Sequence, residues 1–178
     1  MTIMYDELEI LPRCDNVNGV PISELQAFAS KYGINHVYSV IFSGRYKYHQ
    51  GCAKKLNDIY IVYLNHRFPL QCVGRNPRLE EYQPDIIECL ETLLTTDRKA
   101  AYFVLLHEIG HKELGHSPLL PPPLSMDKRL PWEEALKKLK DEQEKWKCQK
   151  WQHDNIFEPE ADNWAIAEFK KLQAEGIL

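Results

Sequence analysis

The N-terminus, Met1-Thr2-Ile3-Met4-Tyr5-Asp6-Glu7, has neither the basic start nor the apolar run of a secretory signal. The longest apolar run, Ala100 to Leu106, is far too short to cross a bilayer. Positive charge is not in excess either. The 22 lysines and arginines face 26 aspartates and glutamates, and the net charge of −4 disfavours nucleic-acid binding through bulk electrostatics. These absences predict a soluble, cytoplasmic protein with no membrane partner and no direct nucleic-acid partner. Cysteine is sparse: Cys14, Cys52, Cys72, Cys89 and Cys148 are odd in number, and no two have C-x-x-C spacing. That argues against a disulfide framework and a cysteine metal site, and the thiols are expected to be reduced and mostly buried. No internal repeat is present, and the one low-complexity stretch is Pro121-Pro122-Pro123.

What is there suits a single domain over 1–178: 44% hydrophobic and 27% charged residues in a chain long enough for a real core. Ser23 to Tyr32 reads as a helix, with Ser23 and Gln26 in capping-box spacing, Leu25, Phe28, Ala29 and Tyr32 on one face, and Gly33 as the stop. Ile34 to Phe42 and Ile59 to Leu64 are rich in β-branched and aromatic residues and read as strands, with Tyr46 to His49 pairing back on the first. Together they predict an α+β fold with a small, mainly antiparallel sheet. Helices are expected from Pro84 to Leu94, from Asp97 to about Leu114, from Trp132 to about Trp151, and from Glu158 to Ala174. The third of these is strongly charged, with Trp132, Leu136, Leu139 and Trp146 in a narrow apolar stripe. It reads as an amphipathic helix laid across the domain, and with the proline-rich loop before it forms an insertion over 117–152.

The chemistry concentrates in His107-Glu108-Ile109-Gly110-His111, an H-E-x-x-H motif. On a helix the two histidines lie one turn apart and can reach one ion. Glu108 projects about 100° round the axis from His107, free to move a proton rather than to ligate. A catalytic zinc site takes three protein ligands and keeps one position open. The segment Glu158-Pro159-Glu160-Ala161-Asp162 offers the third. Glu158 and Asp162 are spaced i,i+4 and share a face, so Glu158 is the expected ligand and Asp162 the acceptor for the non-ligating nitrogen of His107 or His111. Glu160, about 200° round from Glu158, is the alternative ligand. His116 stands one residue short of the third-histidine position of the H-E-x-x-H-x-x-G-x-x-H pattern, so it reads as a helix-end residue favoured by the macrodipole. His153 is a weaker alternative ligand, and His36, His49 and His66 read as structural.

The run Tyr102 to His116, with its Gly-His ending, resembles the active-site helix of the ImmA/IrrE family of metallopeptidases. Glu158-Pro159-Glu160-Ala161-Asp162-Asn163-Trp164-Ala165 is similar to the downstream segment of that family, and Ile59 to Asn65 to its preceding strand. The resemblance covers roughly residues 59–172. It implies a minimal gluzincin (zincin-like) domain, in which the sheet packs on the H-E-x-x-H helix and on a C-terminal helix bearing the glutamate. It also implies one zinc ion per chain and site-specific cleavage of a protein substrate, often a transcriptional repressor. The gap from His111 to Glu158 is long for the family, and the 117–152 insertion fills it.

In the mechanism this suggests, zinc brings the pKa of water down to about 7 and Glu108 is the general base. The Ile59–Leu64 strand, if it lies at the sheet edge, is where a substrate strand would add. Two other readings stay open. One is a zinc-binding sensor or interaction protein of the same fold without turnover. The other is a metal-free interaction protein built on the charged Trp132–Trp151 helix.

Overall fold

The structure, a computed structural model, describes residues 13–42, 50–68, 84–117, 123 and 125–178. It opens with three short strands, β1 (Arg13–Cys14), β2 (Asn16–Val17) and β3 (Val20–Pro21). Asn18 and Gly19 join β2 to β3 with φ of 47° and 81°, the two left-handed residues that a type I′ hairpin turn requires. Helix α1 (Ile22–Ser30) follows, with Pro21 at its N-cap and no side-chain cap. The helix starts one residue before Ser23, so the expected capping box does not form. Gln26 instead accepts a hydrogen bond from the Val37 N–H at 2.7 Å. A residue expected to close a helix end ties α1 to strand β4 (His36–Val40).

Strands β5 (Gly51–Leu56) and β6 (Ile59–Asn65) form a hairpin through Asn57 and Asp58, with Asn57 at φ 54°. The four-stranded sheet has the order β1-β4-β6-β5. Its outer pairs are antiparallel, but β4 and β6 run parallel, so the sheet is mixed rather than mainly antiparallel. The cause lies in β6 itself. Val62 and Leu64 are buried in the main core, while Ile61 and Tyr63 are buried in a second cluster with Val40 and Phe42. A strand apolar on both faces belongs inside a sheet, so β6 lies between β4 and β5 rather than at an edge. It is therefore paired along both sides, and among the described strands β5 is the edge strand next to it. The expected strand Tyr46–His49 lies outside the described residues.

Helix α2 (Pro84–Leu93) buries Ile86 and Leu90, and Leu94 just beyond it is buried too. Helix α3 (Asp97–Glu113) starts at Thr96, whose Oγ1 accepts from the Lys99 N–H at 3.2 Å. Every residue from Ala100 to Leu106 is buried. A helix apolar all round is a core helix, and α3 packs on β5, β6, α1 and the last helix, α5 (Glu158–Ala174). The approach of α3 to α5 is close. A Cβ built on Gly110 would stand 3.2 Å from the Ala161 carbonyl oxygen and 3.2 Å from the Trp164 ring.

The expected charged helix is present as α4 (Trp132–Gln152), but it does not end before α5. A π-helical turn, His153–Phe157, carries it straight into α5. Pro159 explains the widening. It has no N–H for the Asn155 carbonyl four residues back, and its ring would press on that oxygen in a regular α-helix. Ala135 is the buried side chain of α4, while Trp132 and Trp151 are 67% and 61% exposed. Instead of lying across the core, α4 holds the loop before it: Gln143 Nε2 donates to the Pro123 carbonyl at 3.3 Å, and Lys138 pairs with Asp127 at 3.5 Å. Cys14, Cys52 and Cys89 are half-buried and Cys148 is exposed, so the thiols are less buried than expected; Cys72 lies outside the described residues. No described helix is long and apolar enough to cross a membrane.

The α3–α5 crossing leaves no room for a larger residue at Gly110. Gly110→Val is expected to lower stability by about 1–3 kcal/mol through overpacking, read as a fall in the midpoint of urea unfolding. Because the crossing sets the position of Glu158, the variant is also expected to bind metal more weakly.

Candidate metal centre

The site is assembled where α3 and α5 cross. His107 and His111 lie one turn apart on α3, with ring centroids 4.8 Å apart and Nε2 atoms 3.1 Å apart. Glu158, in the first turn of α5, brings Oε2 to 3.2 Å from His107 Nε2 and Oε1 to 3.5 Å from His111 Nε2. These three residues form a group whose ligand-type atoms all lie within 4.8 Å of one another, and the group could hold a metal ion. The Nδ1 atoms point away and are engaged. His107 Nδ1 is 2.8 Å from Oδ1 of Asp162, a carboxylate only 3% exposed. His111 Nδ1 is 3.0 Å from Nδ1 of His116. The two Nε2 atoms thus face the Glu158 carboxylate, whose charge a proton or a cation can neutralise.

Of the two glutamates offered by the 158–162 segment, the structure brings Glu158 to the histidines. Glu160 instead accepts from His116 Nε2 at 3.0 Å. His116 is therefore more than a helix-end charge. His153, on the π turn, stacks on His111 at 5.8 Å and stands 3.3 Å from Glu158 Oε1, but falls outside the ligand group. His36 stacks on Tyr38, and His66 Nδ1 contacts the Asn16 carbonyl oxygen at 2.9 Å, both away from the site. His49 lies outside the described residues.

Glu108 sits beside the ligand group without joining it. It is 7% exposed, and β5 runs directly over it. A Cβ on Gly51 would fall 2.5 Å from Glu108 Oε1, and the Ala53 N–H donates to its carboxylate. Burial raises the pKa of Glu108 above the usual carboxylate value, while the nearby imidazoles and the Ala53 bond pull it back. Neither Gly51 nor Ala53 is recognisable as part of a site from one sequence, because their role depends on which strand covers α3. Cys52, between them, falls outside the ligand group; burial, followed by Glu108 and Glu158, pushes its thiol up to about 12.

No protein-family model matches the chain, and neither characterised proteins nor solved structures give a significant match. The functional reading therefore rests on the residues themselves.

Protonation of the ligand set gives a pH test. Burial disfavours the His107 imidazolium, but Asp162 and Glu158 outweigh it and hold its pKa well above 6.5. Burial likewise opposes the Glu158 carboxylate, but His107 and His111 outweigh it and hold its pKa well below 4.5. In the metal-free chain the raised histidine contributes stability that is complete below its unfolded pKa and is lost as pH rises through its folded pKa. The lowered glutamate contributes stability present above its unfolded pKa and lost as pH falls through its folded one. A metal must displace the His107 proton, so its affinity runs the other way and strengthens as pH rises. Zinc titration calorimetry in buffers of different ionisation enthalpy is expected to show release of about one proton per ion near neutral pH. A zinc affinity independent of pH would remove His107 from the ligand set.

Proposed function

We propose that the chain is a zinc metalloendopeptidase that hydrolyses peptide bonds of a specific intracellular protein, of the class that the ImmA/IrrE resemblance implies, with a transcriptional repressor as the expected kind of substrate. The observation that carries this reading is Glu108: a buried carboxylate held against, but outside, a three-residue donor group. A purely structural zinc site is closed by four protein ligands, whereas among the described residues this group has three. One ligand-type atom from each of the three lies within 4.8 Å of the others, close enough for a single ion to reach all of them.

Held by His107, His111 and Glu158, zinc would supply Lewis acidity, polarising the scissile carbonyl and making water acidic enough to attack near neutral pH. Glu108 takes the proton of the attacking water and returns it to the leaving nitrogen. The lid of β5 and the Ala53 N–H hold its carboxylate in one orientation for both transfers. Asp162 keeps the His107 proton on Nδ1, leaving Nε2 as a donor. The substrate reading shifts from β6 to β5. Since β6 is paired on both sides, the edge left beside the site among the described strands is that of β5, and an extended peptide added there runs beside Glu108.

The zinc-binding sensor without turnover needs the same ligands but not Glu108, and one variant separates them. Glu108→Gln is expected to keep zinc, by elemental analysis, and to lose about 10²–10⁴-fold in cleavage of a proteome-derived peptide library read by mass spectrometry. Gly51→Ala is expected to act in the same direction, because the three atoms nearest the new Cβ all belong to the Glu108 side chain, which it displaces. Undiminished cleavage by zinc-loaded Glu108→Gln rules out the proposed base, and cleavage absent from every preparation of the zinc-loaded wild type favours the sensor.

A further inference from the structure

Helix α3 ends in a Schellman turn. Gly115 takes φ 70°, the His116 N–H donates to the His111 carbonyl at 2.9 Å, and the Gly115 N–H donates to the Lys112 carbonyl at 3.1 Å. The turn folds His116 back along the helix it has just left, onto His111. The imidazole is then fixed on three sides. It stacks on Phe157 with centroids 4.4 Å apart and planes 11° from parallel, its Nδ1 meets His111 Nδ1 at 3.0 Å, and its Nε2 meets Glu160 Oε2 at 3.0 Å. Its side chain is 5% exposed.

Hydrogen-bond direction settles the roles. Each neutral imidazole has one N–H and one lone pair, and an ionised carboxylate only accepts. Glu160 therefore takes the proton on His116 Nε2, which leaves His116 Nδ1 as an acceptor. The contact to His111 is then a bond only if His111 carries its proton on Nδ1, and that leaves His111 Nε2, the atom facing Glu158 and His107, with a free lone pair. The reverse arrangement, with His116 Nδ1 donating, puts the His111 proton on Nε2 and removes that atom as a ligand.

We infer that His116 and Glu160 are a positioning relay that holds His111 in its metal-binding tautomer, doing through two hydrogen bonds what Asp162 does for His107 through one. This rests on the metal-site reading above. Glu160 is then neither a ligand nor a bystander, since it acts on the metal at one remove. His116 gains a role that the missing third-histidine spacing does not suggest.

The test uses the whole purified chain, zinc competition against a chelator, and the visible spectrum of the cobalt-substituted protein. His116→Ala is expected to weaken zinc binding by about 10–100-fold, as losses of such supporting bonds do, and to shift the cobalt bands. His116→Phe keeps the ring on Phe157 but cannot accept the bond, and is expected to lose as much. His116→Gln presents a carbonyl to the His111 N–H, and is expected to recover most of the affinity. Glu160→Ala is expected to cost several-fold in the wild-type background and nothing further in His116→Ala, because it acts only through His116. If His116→Phe binds zinc as the wild type does, the imidazole is packing and the relay is wrong. The relay is equally wrong if the Glu160→Ala loss is the same with and without His116. If the wild type binds neither zinc nor cobalt, the metal site itself falls.

Discussion

Everything at the site hangs on how closely two helices pass. His107 and His111 belong to α3 and Glu158 to α5, and no local preference of either segment brings them together. Gly110 does, because it carries no side chain at the point where the Ala161 backbone and the Trp164 ring press on α3. That contact is inside the H-E-x-x-H motif, so one residue serves both packing and chemistry. Around it the core is built to hold α3 still, with apolar residues on all its sides and the sheet, α1 and α5 against it.

Close packing also sets the electrostatics. Glu108, Glu158 and Asp162 are drawn in beside two imidazoles, an excess of negative charge in a place where water cannot disperse it. Burying a charge without compensation is expensive, and the protein answers by raising the pKa of both Glu108 and His107. Burial is the main cause for Glu108, and the carboxylates of Asp162 and Glu158 are the cause for His107. Burial, reinforced by the same charge, keeps the Cys52 thiol neutral.

The parts of the site that follow helical periodicity were legible in the residues. His107 with His111, and Glu158 with Asp162, are one-turn relations that need only the helix itself. The long apolar segment of α3 and the stop at Gly33 were equally plain. What sequence could not carry was the assembly of strands. The Gly51–Leu56 strand lacks a β-branched pattern, and its place at the edge, over Glu108, depends on β6 being apolar on both faces and so entering the middle of the sheet. The Asn18-Gly19 turn was a local signal that could have been used, and so was Gly115, whose left-handed backbone turns His116 back. Continuity between α4 and α5 was hidden by Pro159, which reads as the start of a helix but is here accommodated within one by the π turn.

That π turn amounts to one extra residue in a helix that does not break. Deleting a residue between His153 and Phe157 would let the turn close to regular α-helix and swing α4 by about 100° around the common axis, while α5, anchored at Gly110, kept Glu158 and Asp162 on the histidines. The two halves of the rod are therefore out of phase with each other, and the facing of α4 is set by the π turn and not by the ligand-bearing helix.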